Sequence, residues 1–219
     1  RFSRDPFAGN IIPPVRLDPV AKNMLKYWAP PNQAGTSDGR NNYTTPTKAF
    51  EDYFVHLARM DHNFSEKHRA FLRLHYDWWE EDKDDQFNNL VTGIVLHRIN
   101  RGLALDDVLV LTPTSILNLR YGLTQQEFPE WRRSRGFDLA SLGFSPRLTA
   151  LVDQRFATFP RVDVGAYSGF ANWESGDGSN TSMVHSFNAN LSVLKGNHNL
   201  RYGAEFRLYR EFGNRFQYD

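Results

Sequence analysis

Apolar and polar residues alternate over long stretches of this 219-residue chain, and a period of two marks a strand with one greasy face. From Arg69 to Trp79 the even positions read Ala70, Leu72, Leu74, Tyr76 and Trp78, while Arg69, Arg73, His75 and Asp77 stand between them. From Asn199 to Phe212 the pattern repeats with Arg210 as its exception: Leu200, Tyr202, Ala204, Phe206, Leu208 and Phe212 oppose Asn199, Arg201, Gly203, Glu205, Arg207 and Glu211. Ser115 to Gln125 sets Leu117, Leu119, Tyr121 and Leu123 against polar neighbours, and Ser182 to Val193 does the same with Met183, Phe187, Ala189, Leu191 and Val193. Tyr53 to Phe64 and Leu103 to Leu111 are also expected to be strands, with faces blurred by His56, Asp106 and Asp107.

The first 48 residues differ, because seven of the eleven prolines fall there and proline blocks both ladders and long helices. An irregular region is expected, with one short helix. Asp18 can cap it, Pro19 suits its first position, Val20, Met24, Leu25, Tyr27 and Trp28 form its apolar stripe, and Pro30 ends it.

Connections alternate between short and long. Ser65-Glu66-Lys67, Thr112-Pro113-Thr114 and Lys195-Gly196-Asn197 read as tight turns, whereas residues 81–100 and 127–180 are long and polar. Short turns at one end and long loops at the other are the signature of an up-and-down barrel of the outer-membrane kind. If Arg161 to Trp173 spanned alone, the last tight turn would fall on the wrong side, so it is expected to pair with Leu148 to Phe159 as a hairpin standing outside the membrane. The fold class expected is all-β: an antiparallel up-and-down sheet forming a partial transmembrane β-barrel. Residues 1–48 are then an external loop with its helix, and residues 49–219 a wall of six spanning strands.

Composition narrows the functions. Lys plus Arg number 26 against 25 Asp plus Glu, so no broad basic field for nucleic acid exists. Without cysteine there is no disulfide framework, thiolate metal site or catalytic thiol. No apolar run approaches the length of a membrane-spanning helix, although strands need only about 9–11 residues and hide every second one from hydropathy. The sequence opens on Arg1 and is expected to belong to a longer protein.

Candidate chemistry is sparse. Asp61, His62 and His68, with His56 and His75 nearby, suggest a metal cluster, but adjacent residues of a strand point to opposite faces and no zinc-type spacing occurs. The acidic run Glu80, Glu81, Asp82, Asp84, Asp85 lacks the glycine and terminal glutamate of a calcium loop and reads as solvated. No nucleophile elbow or triad order is present, so neither an enzyme nor a cofactor is expected.

Three phrases carry a resemblance: DPFAGNIIPPVRLDPVAKNMLKYWAPPN (5–32), RMDHNFSEKHRAFLR (59–73) and VLKGNHNLRYGAEFRLYR (193–210). In this order they resemble TonB-dependent outer-membrane receptors of the Oar-like branch, and GFDLASLGF (136–144) fits a loop of the same family. The resemblance implies an arc of barrel wall from a transporter, placed in the outer membrane. It also implies outer-membrane lipid, a plug domain and TonB as partners of the full-length protein. On this reading Arg59, Asp61, Arg73, Arg120, Arg201, Glu205 and Arg207 line the lumen. Trp78, Trp79, Tyr121, Trp131, Trp173 and Tyr209 form an aromatic girdle or touch ligand from the loops. The competing reading is a soluble all-β module binding carbohydrate or peptide, and the two differ in what the apolar faces meet.

Overall fold

A computed structural model describes residues 6–45, 47–83, 85–89, 91–165, 169 and 177–215. Six antiparallel strands form one open sheet in sequential order: β1 (Phe50–Ser65), β2 (His68–Lys83), β3 (Ile94–Thr112), β4 (Ser115–Arg132), β5 (Gly178–Lys195) and β6 (His198–Arg215). The tight turns at 66–67, 113–114 and 196–197 close the three hairpins at the same end of the sheet. The long connections leave from the opposite ends of the strands.

The strands are longer than their alternation implies. β3 starts at Ile94 rather than near Leu103, β4 runs to Arg132 rather than Gln125, and β2 continues to Lys83. Eighteen residues at about 3.4 Å each extend about 60 Å, whereas a bilayer's hydrocarbon is only about 30 Å thick. The extra length is polar, holding Glu80, Glu81 and Asp82 on β2 and Arg98, Asn100 and Arg101 on β3. Backbone pairing continues there without an apolar face to betray it.

Register assigns every side chain a face. On β1 and β2, Phe54 lies opposite Trp78, Ala58 opposite Leu74 and Met60 opposite Leu72, while Arg59 faces Arg73 one position along. On β4, β5 and β6, Tyr121, Phe187 and Phe206 form one row, and Arg120, Asn188 and Glu205 form the adjacent row. Side-chain bonds from Asp106 to Arg120 and Asn118, and from Asn100 to Asp77, place the even positions of β3 on the polar face. Leu72, Leu74, Leu119, Phe206 and Leu208 therefore share one face, and Arg73, Arg120, Glu205 and Arg207 the other.

The sheet is inside out relative to a water-soluble one. Among the described residues the buried hydrophobic side chains are Val91, Leu139, Leu142, Ala157 and Phe159, none of which lies in a strand. The strands bury carboxylates instead, Asp77 and Asp106 each at 7% exposure, while Phe206 is 62% exposed and Phe187 47%. A contiguous apolar face of this extent is outside what soluble monomers expose.

Residues 1–48, 83–94 and 132–174 form a second compact unit. Its core is Val91, Leu142 and Phe159, against which Val20, Met24, Tyr27, Phe137 and Phe144 pack. Helix α1 (Pro19–Leu25) begins as expected, with the Asp18 carboxylate accepting a hydrogen bond from the Ala21 amide at 3.0 Å. It delivers Asn23, whose side-chain amide donates to the Leu142 carbonyl at 3.1 Å. Tyr27, Phe137 and Phe159 meet edge to face, with centroids 5.0–5.8 Å apart.

Two expectations fail in this unit. Leu148 to Phe159 is not a strand: the Ser145 hydroxyl caps a helical turn, α2 (Pro146–Thr149), and no hairpin with Arg161 to Trp173 exists among the described residues. Pro146 at the first helical position, after a serine, favours that turn. Strand parity needs no hairpin, because the whole 133–177 segment serves as one long connection. Asp85 is not a solvated acid either. It is 7% exposed and accepts hydrogen bonds from the Asn89 amide (2.9 Å), the Thr92 hydroxyl (2.7 Å) and Arg133 (2.7 Å). Asn89 in turn donates to the Tyr27 carbonyl at 2.9 Å.

Two predictions follow from these placements. An arginine on the apolar face near mid-bilayer costs about 2–4 kcal/mol, so Phe206→Arg should lower the fraction folded into bilayers, while Arg207→Leu should assemble normally; heat-modifiable gel mobility reads both. In the loop unit, Leu142→Ala should cost about 2–5 kcal/mol of local stability, read as faster proteolysis within residues 133–165 with the strands still protected.

Candidate functional site

The polar face carries the chemistry of the wall. Near the turns, Arg59 donates twice to Asp61, two positions along the same strand, at 2.7 Å each. Its guanidinium also lies 4.0 Å from the centre of the Phe71 ring. Asp106 on β3 accepts from Arg120 Nε and, at 2.9 Å, from Asn118 Nδ2. These side chains line a recess of about 470 Å³ that Arg69 also borders. Three of the expected lumen residues, Arg59, Asp61 and Arg120, are thus brought together.

Arg73 stands directly opposite Arg59 across the strand pair, an arrangement that disfavours both charges unless a counter-ion lies near, and Asp61 supplies one to Arg59. Beyond it, Asp77 is held between His75 Nε2 at 3.0 Å and Asn100 Nδ2 at 2.7 Å. Arg201, Glu205 and Arg207 lie on β6, with Glu205 and Arg207 ion-paired two positions apart. Ser192, Asn188 and Ser186 of β5 are their respective cross-strand neighbours, and β5 separates this group from Arg120. Sequence reasoning missed Asp106, Asn118, Asp77 and Asn100. For Asp106 and Asn100 the signal was a polar residue in the mixed strand β3, which alternation alone reads as noise, while Asp77 and Asn118 were visible only as ordinary polar positions of β2 and β4.

The aromatic set divides between the faces. Trp78 stacks on Phe54 at 5.3 Å, and Trp131 stacks on His97 at 4.5 Å, both on the apolar face toward its loop end. Trp79 falls on the polar face with Arg98 over its ring at 4.5 Å, and Tyr209 is also on that face. Adjacent strand residues cannot share a face, so Trp78 and Trp79 cannot both join a lipid-side girdle. Tyr121 is on the apolar face but close to the turn half of β4, with its hydroxyl 2.9 Å from His185 Nδ1. Trp173 lies outside the described residues.

The apolar face has the dimensions of a bilayer. Its runs extend from Ala70 to Trp78 on β2, Met183 to Val193 on β5 and Leu200 to Leu208 on β6, matching the about 9–11 residues that a crossing strand requires. Two pairs of charges on this face are joined: His68 with Asp107 at 2.7 Å and Arg101 with Glu127 at 3.0 Å. Among the described residues no helix is long and apolar enough to cross a membrane.

Asp106 is the acceptor on which the turn-end cluster depends. Asp106→Ala should lower stability against urea in bilayers by about 1–3 kcal/mol, because Arg120 and Asn118 lose a charged hydrogen-bond partner together. Asp61→Ala, at an exposed pair, should leave the unfolding midpoint nearly unchanged.

A search of the curated proteins found no match. A scan against family models matched the outer membrane beta barrel domain over residues 1–219. That match, covering the whole two-faced sheet and its loop unit, places the protein in the outer membrane: the chain belongs to the outer membrane β-barrel domain family.

Proposed function

We propose that this wall is part of a TonB-dependent transporter of the Oar-like branch, which takes up a substrate through a plugged barrel with energy delivered by TonB. The observation that carries the reading is the charged polar face on a sheet with two open edges. Unpaired edge groups are intolerable in hydrocarbon, so β1 and β6 need further strands to close the barrel. Barrels of about 22 strands hold a plug, and the plug would face this charged side of the wall. The ordered phrases at 5–32, 59–73 and 193–210 support the branch.

Outer-membrane lipid, the plug and TonB are the partners in this proposal, and the wall performs no catalytic step. The soluble binding module has no observation in its favour, because the strands enclose no hydrophobic core. TonB dependence is testable without knowing the substrate. Full-length protein extracted from outer membranes should be retained on an immobilised periplasmic domain of TonB and released by a competing TonB-box peptide; passage straight through would overturn the transporter assignment.

A further inference from the structure

The loop unit contains a cleft of about 630 Å³, walled by Trp28, Asn41, Asn42, Tyr43, Gln86 and Phe87 among others. That volume lies within the about 300–1,000 Å³ typical of small-ligand sites. Its apolar side is aromatic: the Phe87 ring lies 5.8 Å from Tyr43 and 6.5 Å from Trp28. Its polar side is formed by the carboxamide residues Asn41, Asn42 and Gln86 together with Thr45, and none of the described residues lining it carries a charge.

The wall formed by residues 32–45 is held in advance of any ligand. Asn32 mimics a ladder partner, its side chain donating to the Thr44 carbonyl at 2.7 Å and accepting from the Thr44 amide at 2.8 Å. The Asn42 carbonyl accepts from the amides of Asn32 and Gln33 at 3.0 and 3.1 Å, and the Gln33 side chain donates to the Asn41 carbonyl at 2.7 Å. At the tip the Thr36 amide donates to the Arg40 carbonyl at 2.7 Å. There the Thr36 hydroxyl holds the Asp38 carboxyl below its usual range, and the loop passes through Gly35 at φ +67°. These bonds tie the two arms of the loop together. The side-chain amides of Asn41, Asn42 and Gln86 make no hydrogen bond among the described residues.

We propose that this cleft binds a neutral saccharide. Sugar rings present a hydrophobic C–H face, which aromatic rings cover, and an equatorial rim of hydroxyls that both donate and accept. A carboxamide matches such a hydroxyl because it offers two donors and an acceptor in one group. Three unengaged carboxamides beside three aromatic rings, without a formal charge, fit this ligand class better than an anion, a cation or the termini of a peptide. Binding here is independent of what the barrel conducts and of TonB.

The test uses the full-length protein in amine-oxide micelles, since alkyl glycoside detergents would compete for the cleft. Fluorescently labelled protein is applied to an array carrying neutral oligosaccharides, sialylated and uronate-containing oligosaccharides and short peptides, and the best probe is titrated by calorimetry. Saturable binding to neutral oligosaccharides is expected. Asn42→Ala and Gln86→Ala should each weaken it about threefold to tenfold while heat-modifiable mobility stays unchanged. Trp28→Ala should abolish it, with the amide variants deciding the matter if that variant loses its loop fold. Binding to none of the array, preference for anionic glycans or peptides, or full affinity in both amide variants would overturn the proposal.

Discussion

A strand in hydrocarbon has no water to satisfy its backbone, so every N–H and C=O within the bilayer must be bonded to a neighbouring strand. All else in this wall follows from that ladder. Once β1 to β6 are paired in sequential antiparallel order, the pleat assigns successive side chains to opposite faces, and a shift of one residue would send Arg73, Arg120 and Arg207 into lipid. The register that keeps Tyr121, Phe187 and Phe206 in one row and Arg120, Asn188 and Glu205 in the next is therefore set by the two solvents.

Two kinds of core result. On the sheet, carboxylates are the groups withdrawn from solvent, with Asp106 beneath Arg120 and Asn118, and Asp77 between His75 and Asn100. The loop unit is built in the ordinary way, from Val91, Leu142 and Phe159 joined across three chain segments. Its polar hub, Asp85, ties Asn89, Thr92 and Arg133 together. Segments far apart in the chain are thereby held as a defined surface, and that order gives the aromatic and carboxamide cleft its preformed walls.

Sequence alone made the faces legible, because exposure to lipid leaves a period of two in Leu72, Leu74, Tyr76 and Trp78. Turn positions and the Asp18-Pro19 helix start were legible for similarly local reasons. What escaped was whatever depended on distant partners. Strand ends beyond the bilayer leave no apolar trace, so Ile94 to Asn100 read as loop. The polar-face residues Arg59, Asp61 and Arg120 could be picked by charge, but their meeting around Asp106 required the sheet. Asp85 looked like one acid among five because its bonding partners Arg133 and Thr92 are distinguished only by the fold. Parity of strands was sound, yet the hairpin drawn from it was not, since a connection of any length satisfies parity.

The two-solvent sheet is most directly tested by spin labelling, and these 219 residues contribute no native cysteine to the background. Single cysteines introduced along residues 199–212 of the full-length protein in bilayers would be labelled and their accessibility to oxygen and to a nickel chelate compared. Oxygen exposure should peak at Leu200, Tyr202, Ala204, Phe206 and Leu208, and chelate exposure at Arg201, Gly203, Glu205 and Arg207, out of phase by one residue. Equal accessibility at neighbouring positions, or the reverse phase, would contradict a wall with lipid on one side and water on the other.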